Sequence, residues 1–269
     1  MEHRRGHVWT ANKLDFLEKY LPAFNVVVRK YFPHSIYVDG YSGPGMNDIN
    51  GEIREGSPLI ALGTNPQFTR LYFVEKKAAI FRNLEEHINR IDLDTDRRDQ
   101  VHLINDDFND VVRSILIKLP NHPAFFFLDP EGLELDWATV ELIGRRQRAD
   151  LFILISAGGV TRCAGKTATH ERVTKFYGHE RWKPIGEGVH PDRPIGQTKF
   201  EAFIELYLEG LQGLGFTHVQ HFLIARNSQN ASMHALVFAS KNDTAIKIAT
   251  SILKKIQREQ HGASPLFDL

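Results

Sequence analysis

The chain has 269 residues, of which 33 are Lys or Arg and 33 are Asp or Glu, so that its formal net charge is zero. Hydrophobic residues make up 42% of the chain, which is enough for a sizeable core, and the length fits one large α/β domain. The balanced charge excludes a protein that attracts nucleic acid through its overall field, so nucleic-acid binding would depend on local basic patches.

The first predicted element is a helix over about 10–31. Thr10 is a plausible N-cap, and Pro22 would kink or restart the helix. Apolar residues recur at three- and four-residue steps and so share one face; they are Leu14, Leu17, Leu21, Phe24, Val28 and Tyr31.

From residue 36 onward, short apolar runs alternate with helical stretches. These runs are apolar on consecutive positions, which is typical of strands covered on both faces in a parallel sheet. The sequence therefore predicts a Rossmann-like, doubly wound α/β fold. The runs are IYVD (36–39), LYFVE (71–75), VHLIN (101–105), AFFFLD (124–129) and LFILIS (151–156).

The last quarter predicts an amphipathic helix from Phe200 to Leu211, strands at 216–225 and 234–240, and a final helix over about 242–259. The stretch RNSQNASM between the two strands reads as a hairpin-like connection. Adjacent strands with a short connection indicate an antiparallel pair at the C-terminal end of a mostly parallel seven-stranded sheet.

The stretch 157–198 is rich in glycine, proline and charge, and is only weakly periodic apart from a possible helix at 167–177. We expect it to be an irregular insertion in a single domain that spans 1–269. A cover over a ligand site and a plain surface excursion both stay open.

The sharpest motif is the glycine-rich sequence DGYSGPG at 39–45, after the first predicted strand. Glycines let a backbone turn sharply and approach a ligand closely. Ligands of open α/β sheets bind beyond the carboxyl ends of the strands. An NAD site would need G-x-G-x-x-G and an acid about 20 residues later, which this spacing does not supply. A turn without a ligand is the alternative interpretation.

Acidic residues also follow the next three predicted strands. Glu75 ends the second strand, Asp106 and Asp107 follow the third, and Asp129 and Glu131 follow the fourth within Asp-Pro-Glu-Gly. A carboxylate can accept two hydrogen bonds from a ribose diol, or one from an exocyclic amine. Each acid alone is more often a turn residue or a helix cap. Four successive strands that end in acids at one sheet edge indicate a ligand site.

In this order the motifs resemble those of class I S-adenosylmethionine-dependent methyltransferases and, more narrowly, the three-Cys-motif partner proteins (TcmP). The resemblance implies a methyltransferase-like fold with S-adenosylmethionine as cofactor. It rests on W-T-x-x-K-L near the start, YVDGYSGPG, GSP at 56–58, FVEK, NDDFND, FLDPEG, and FYG at 176–178 followed by Trp182.

The resemblance also implies roles for single residues. Asp39, Gly43 and Gly45 would surround the methionine part of the cofactor. Glu75 would hold the ribose, and Asp107 with Phe108 would contact the adenine. Asp129 and Pro130 would face the sulfonium and the acceptor. The candidate cofactor residues are therefore Asp39, Gly40, Tyr41, Gly43, Gly45, Glu75, Asp107 and Phe108, and the candidate catalytic residues are Asp129, Pro130 and Glu131.

Two departures from the family pattern bear on the activity. Tyr41 stands where the commonest methyltransferase loop has glycine, and the fourth motif lacks the second proline and the aromatic residue of enzymes that methylate base amino groups. The leading hypothesis is methyl transfer to a nucleic acid or another macromolecular acceptor, with Asp129 or Glu131 accepting a proton or hydrogen bond. The rival is a non-catalytic accessory protein that partners a three-cysteine protein resembling radical S-adenosylmethionine enzymes.

The remaining candidate groups favour ordinary structural roles. The single cysteine, Cys163, excludes an intramolecular disulfide and a cysteine-built metal site. The thirteen histidines show no metal-ligand spacing, so no metal is predicted. Three basic clusters are expected to be solvated helix faces, although Arg162 and Lys166 could meet a nucleic-acid phosphate; the other two clusters are Arg145, Arg146 and Arg148, and Lys254, Lys255 and Arg258.

Hydropathy bears on the cellular location. No run approaches the ~18 apolar residues of a membrane span. The opening MEHRRGHVW has none of the apolar length that a secretory signal needs. We therefore expect a cytoplasmic protein without membrane contact.

Overall fold

The computed structural model of the protein describes residues 4–6, 8–119, 121–189, 194, 196–226 and 232–260. Strands and helices alternate through most of this range. In chain order the elements are β1 (Arg4–Gly6), α1 (Val8–Val28), β2 (Ile36–Asp39), β3 (Met46–Ile49), β4 (Glu52–Glu55), α2 (Ser57–Gly63), β5 (Arg70–Val74), α3 (Ala78–Asn89), α4 (Thr95–Asp99), β6 (Val101–Ile104), α5 (Phe108–Lys118), β7 (Ala124–Leu128), α6 (Trp137–Gly144), β8 (Ala149–Ser156), α7 (Ala157–Ala164), α8 (His170–Tyr177), α9 (Lys183–Glu187), α10 (Lys199–Gly213), β9 (His218–Arg226), β10 (Ser232–Ser240) and α11 (Asp243–Gln260).

Seven strands form the main sheet in the order β6-β5-β2-β7-β8-β10-β9. The first five run parallel to one another, and β10 is antiparallel to both β8 and β9. The predicted fold class is therefore confirmed: a Rossmann-like, mostly parallel seven-stranded sheet with an antiparallel pair made by the two strands nearest the C-terminus.

Both faces of this sheet are buried, as the continuous apolar runs predict. Along β7, Phe126 packs into the core layer beneath α5, α6, α8 and α10, whereas Phe125 and Phe127 pack into the layer beneath α1, α2 and α11. Successive side chains of a strand point to opposite faces, so one apolar run serves both layers.

The N-terminal helix differs in its bounds from the prediction. It begins at Val8 and ends at Val28, so Thr10 lies inside the helix and is not its cap, and Pro22 is accommodated without ending it. A small second sheet, β1-β3-β4, was not predicted.

The irregular path expected for 157–198 is wrong for most of the described part of that segment. Helices α7, α8 and α9 lie in it; α8, with the short 3₁₀ turn at Thr167–Thr169 before it, matches the possible helix at 167–177, whereas α7 and α9 were not predicted. Gly178 and Gly188 end α8 and α9 in the left-handed conformation, at φ 76° and 75°. The unpredicted helices α7 and α9 have only eight and five residues, which is too short to give a clear periodic pattern.

Two further expectations concern the second half and the membrane. The strands on either side of RNSQNASM do pair with each other, whereas residues 227–231 of that connection lie outside the described residues. Among the helices that the structure describes, none is both long and apolar enough to cross a membrane.

Candidate functional site

The predicted acids meet at one edge of the main sheet. Asp39 at the end of β2 is in register with Phe73 of β5 and Phe127 of β7, and β6 lies beyond β5. Because these strands are parallel, Glu75, Asp107 and Asp129 leave the sheet on the same side as Asp39.

The glycine loop at 40–45 is tied to both neighbouring strands. The amide of Gly40 donates to the Phe127 carbonyl at 3.0 Å, and the amide of Ser42 donates to the Val74 carbonyl at 2.9 Å. Gly43 and Gly45 take φ values of 67° and 88°, a region that favours glycine. The loop therefore holds a fixed path directly above the ends of β2, β5 and β7.

Asp39 is fully buried beneath this loop. The Tyr37 hydroxyl donates to its Oδ2 at 3.3 Å and the Tyr41 amide donates to its Oδ1 at 3.2 Å. Burial, with a smaller contribution from the charge of Asp129, raises the pKa of Asp39 to about 7 despite the hydrogen bonds from Ser57, Tyr41 and Tyr37. A cationic group placed against this carboxyl would favour its ionised form.

Glu75 joins the loop to the second strand. Its Oε2 accepts a hydrogen bond from the Gly43 amide at 3.1 Å, and its Oε1 accepts one from the Lys77 amide at 2.8 Å. A carboxylate oxygen carries two lone pairs, so both oxygens keep acceptor capacity. Glu75 can thus brace the glycine loop and accept hydrogen bonds from a diol.

Asp107 caps helix α5. Its side chain accepts from the Asn109 amide at 2.9 Å and pairs with Lys76 Nζ at 2.8 Å. Burial opposes ionisation, but these partners outweigh it and hold the pKa of Asp107 below its usual value. The carboxylate stays charged while it satisfies the first turn of α5.

Phe108 lies under the loop. A Cβ at Gly40 would come within 2.8 Å of the Phe108 ring, and this ring meets the ring of Tyr41 edge-on at 6.1 Å. Its observed role is to support the loop from below, while contact with an adenine stays a prediction.

Tyr41 places its hydroxyl in a buried position where no described residue forms a hydrogen bond with it. Burial raises the pKa of Tyr41, and the charges of Asp107 and Glu134 raise it further. A buried hydroxyl without a partner is costly, so this oxygen is available to a bound molecule or a water.

Both acids of the fourth motif, Asp129 and Glu131, form ion pairs with lysines of the same chain. Asp129 is 3% exposed and forms an ion pair with Lys13 of α1, which is itself 6% exposed. Glu131 is half exposed and pairs with Lys77. Pro130 is buried beside them.

Lys13 was not identified as a functional residue from the sequence. It is the lysine of the W-T-x-x-K-L stretch, and its position beside Leu14 at the buried face of α1 is the signal that could have found it. A lysine that helical periodicity places at a buried face requires an anionic partner.

Two other sequence-level expectations concern basic and metal-binding groups. Arg162 and Lys166, at the end of α7, are exposed. Within the described part of the chain, no group of three or more His, Cys, Asp or Glu side chains could hold a metal ion.

Together these residues suit a ligand that carries a cation, a diol and an amine. The buried Asp39 would face the cation, Glu75 would face the diol, and Asp107 retains a charged acceptor. The orphan hydroxyl of Tyr41 adds a further hydrogen-bonding group.

No family model matches the sequence, and no curated protein matches it. Among solved structures, the chain is similar to protein LPL1258 from Legionella pneumophila strain Philadelphia 1, at 11% identity and a TM-score of 0.55, over 90% of this chain and 92% of that one. At this identity the likeness supports the fold alone.

Two solved methyltransferases match less well. One is the methyltransferase domain of bacterial CtHen1, at 10% identity and a TM-score of 0.43, covering 84% of this chain and 99% of that one. The other is an O-methyltransferase from Bacillus cereus in complex with SAH, at 13% identity and a TM-score of 0.41, covering 85% and 80%. At these TM-scores they add no support for an activity.

Proposed function

We propose that this protein is an S-adenosylmethionine-dependent methyltransferase that acts on a nucleic acid or another macromolecular acceptor. The observation that carries the proposal is the joint arrangement of Asp39, Glu75 and the Gly43 amide at the carboxyl edge of the sheet. A buried carboxyl and a diol acceptor on neighbouring strands suit the ammonium group and the ribose of the cofactor.

In this proposal the glycine loop and Asp39 hold the amino-acid part of the cofactor. The ammonium group would lie against the Asp39 carboxylate and so offset the cost of burying that charge. Glu75 would accept from the ribose hydroxyls while its hydrogen bond with Gly43 keeps the loop in place. Asp107 would accept from the adenine amine.

The methyl donor is already activated, so the protein mainly needs to align an acceptor with it. Asp129 lies at the end of β7, next to the loop, and its pairing with Lys13 fixes the position of its carboxylate. In our proposal this carboxylate accepts a hydrogen bond or a proton from the acceptor nucleophile. The exposed Arg162 and Lys166 would contact a phosphate if the acceptor is a nucleic acid.

The test is isothermal titration with S-adenosylmethionine and S-adenosylhomocysteine. We expect micromolar binding to the native protein and at least a tenfold loss (about 1.4 kcal/mol) in Asp39→Ala. Asp243→Ala removes an exposed aspartate of α11 and should bind like the native protein. Equal affinity in all three proteins would overturn the assignment of the cofactor site.

A second candidate function is a non-catalytic accessory protein that partners a three-cysteine protein. Both acids of the fourth motif form ion pairs, Asp129 with Lys13 and Glu131 with Lys77. This favours the accessory function, because each carboxylate already has a lysine partner and is not reserved for a methyl acceptor. Copurification of a cysteine-rich partner, with no methyl transfer to RNA, DNA or protein, would support it. Methyl transfer by the isolated chain would rule it out.

A further inference from the structure

A second group of charged side chains lies at the opposite edge of the main sheet, where β2 and β5 begin and where the chain enters β7. All of its members are basic and they come from five separate segments. This His–Arg cluster consists of His34, Arg70, Lys118, His122, Arg146 and Arg148.

Three guanidinium groups donate to backbone carbonyls of Lys118, Asn121 and His122. Arg70 donates to the Lys118 carbonyl at 3.2 Å, Arg148 to the Asn121 carbonyl at 3.1 Å, and Arg146 to the His122 carbonyl at 3.1 Å. An arginine has five N–H donors, so the hydrogen bonds of Arg70 and Arg148 leave donors for another ligand.

A cavity of about 250 Å³ opens between the histidines and Arg70. Its lining is His34, Ile36, Thr69, Arg70 and His122. The two imidazole rings meet edge-on, with their centroids 4.8 Å apart. The Nδ1 atom of His122 is buried without a hydrogen-bond partner among the described residues. The cavity thus combines two imidazoles and the Arg70 guanidinium with a polar atom that has no partner among the described residues.

The charged groups that act on the histidines of this region are all basic. Burial lowers the pKa of His122, and the groups that lower it further are all basic: His34, Arg148, Arg146 and Arg70. The pKa of His102, on β6, is lowered by burial and then by Arg70 and Lys118. Within the described part of the chain, neither Arg70 nor Arg148 forms an ion pair with a carboxylate. An anion would relieve this repulsion.

We propose that the cavity of the His–Arg cluster binds a phosphate group, supplied either as inorganic phosphate or as the terminal monoester of a small phosphorylated molecule. The Arg70 guanidinium in the cavity lining can form forked hydrogen bonds with phosphate oxygens, and a neutral imidazole still supplies one N–H donor. The volume of the cavity suits one phosphate and the first atoms of an ester.

This site is separate from the proposed cofactor site. Strand β2 has four residues, so about 13 Å of sheet at 3.3 Å per residue lies between the cluster and the carboxyl edge. The proposal therefore does not depend on methyltransferase activity.

The experiment is isothermal titration in phosphate-free buffer with inorganic phosphate and, separately, with ribose 5-phosphate, which lacks an adenine. The variants are Arg70→Gln, which removes an exposed charge, and His122→Phe, which keeps a ring but removes its nitrogens. The matched control is Lys254→Gln with Arg258→Gln, which removes two charges from the basic face of α11. Circular dichroism and urea unfolding confirm that each variant is folded.

We expect both cluster variants to lose at least about tenfold in phosphate affinity, whereas the α11 control keeps it. Tighter binding of ribose 5-phosphate than of inorganic phosphate would assign the site to a monoester, and the reverse order would assign it to the free ion. The absence of binding to the native protein would overturn the proposal. So would an equal loss in the α11 control, since binding would then follow only the overall charge.

Discussion

The carboxyl group of Asp39 is held away from water, between the hydroxyl of Tyr37 and the backbone amide of Tyr41. Its burial raises the pKa to about 7, so near neutral pH the free protein pays for a buried negative charge. Such a cost is common where a residue serves a ligand and not the fold.

This residue makes a prediction about stability and pH. The folded-state pKa of Asp39 is raised from 3.8 to about 7, so the folded protein binds a proton more tightly than the unfolded chain between these values. Stability should therefore fall as pH rises from about 4 to about 7, by at most about 4 kcal/mol from this group. Asp39→Asn removes the charge. The unfolding free energy of this variant, relative to that of the native protein, should therefore increase over the same pH range.

Urea unfolding at pH 5, 6, 7 and 8 measures this difference. Glu187→Gln, at an exposed position on α9, serves as the control and should follow the native curve. A constant difference between native protein and Asp39→Asn across this range would show that Asp39 has an ordinary pKa.

The buried pair of Lys13 and Asp129 makes a second prediction. Lys13→Met leaves the Asp129 carboxylate buried without its lysine, and should cost about 3–5 kcal/mol of unfolding free energy. Lys13→Met with Asp129→Leu removes both charges, and should cost clearly less than the sum of the two single changes.

The exposed pair of Arg181 and Glu209 is the matched comparison for that cycle. The Arg181 and Glu209 side chains are 63% and 56% exposed. The corresponding changes Arg181→Met and Glu209→Leu should therefore change stability by less than about 1 kcal/mol. Additive losses at Lys13 and Asp129 would mean that the two charges do not stabilise each other.

At the residue scale, sequence reasoning found the acids but not their partners. An acid that directly follows an apolar run is visible because the run marks the strand end, as at Asp39 and Asp129. Lys13 is 116 positions away from Asp129, and no local pattern joins two residues so far apart. The pairing depends on how α1 packs across the edge of the sheet.

At the scale of elements, the glycine loop acts through its backbone path. Gly45 and Gly51 both adopt left-handed conformations, with φ values of 88° and 89°. A Cβ at Gly45 would lie 3.3 Å from Leu84, whereas nothing lies within 4 Å of a Cβ at Gly51. The two positions share a backbone conformation but differ in surroundings.

We therefore expect Gly45→Ala and Gly51→Ala each to cost about 1–2 kcal/mol of stability through backbone strain. Only Gly45→Ala should also weaken binding of S-adenosylhomocysteine, because only it shifts the loop that would hold the ligand. Urea unfolding and isothermal titration measure the two effects separately. Equal ligand affinity in the two variants would mean that the path of the loop does not control binding.

Among the elements, long apolar strands were predictable and short polar ones were not. The hairpin of β3 and β4 carries MNDI and EIRE, which have too few apolar positions to show alternation. Its turn did carry a signal, since Asn50-Gly51 is a favoured two-residue hairpin turn, and both residues have positive φ in the structure. Helices α7 and α9 were not predicted because each spans only one or two turns, whereas α8 falls within the helix expected at 167–177.

At the scale of the whole molecule, a net charge of zero conceals a separation of charge between the two edges of one sheet. An acid ends β2 and acids follow β5, β6 and β7 at the carboxyl edge, whereas the His–Arg cluster lies at the other edge. Composition could not reveal this, because equal numbers of acids and bases are compatible with any arrangement. The parallel topology produces it, since it collects residues from strand ends that are distant in sequence.

The acid that ends β2, Asp39, leads to a prediction about the stability of the intact protein with its ligand bound. A ligand present at 100 times its dissociation constant stabilises the folded state by about 2.7 kcal/mol. The ammonium group of S-adenosylhomocysteine needs an ionised Asp39, whose pKa is about 7, so its affinity should rise from pH 6 to pH 8. Urea unfolding at a fixed ligand concentration should therefore show a growing stabilisation over this range, even though the free protein loses stability. Asp39→Asn should show little stabilisation at any pH, and a native response independent of pH would place the ammonium group elsewhere.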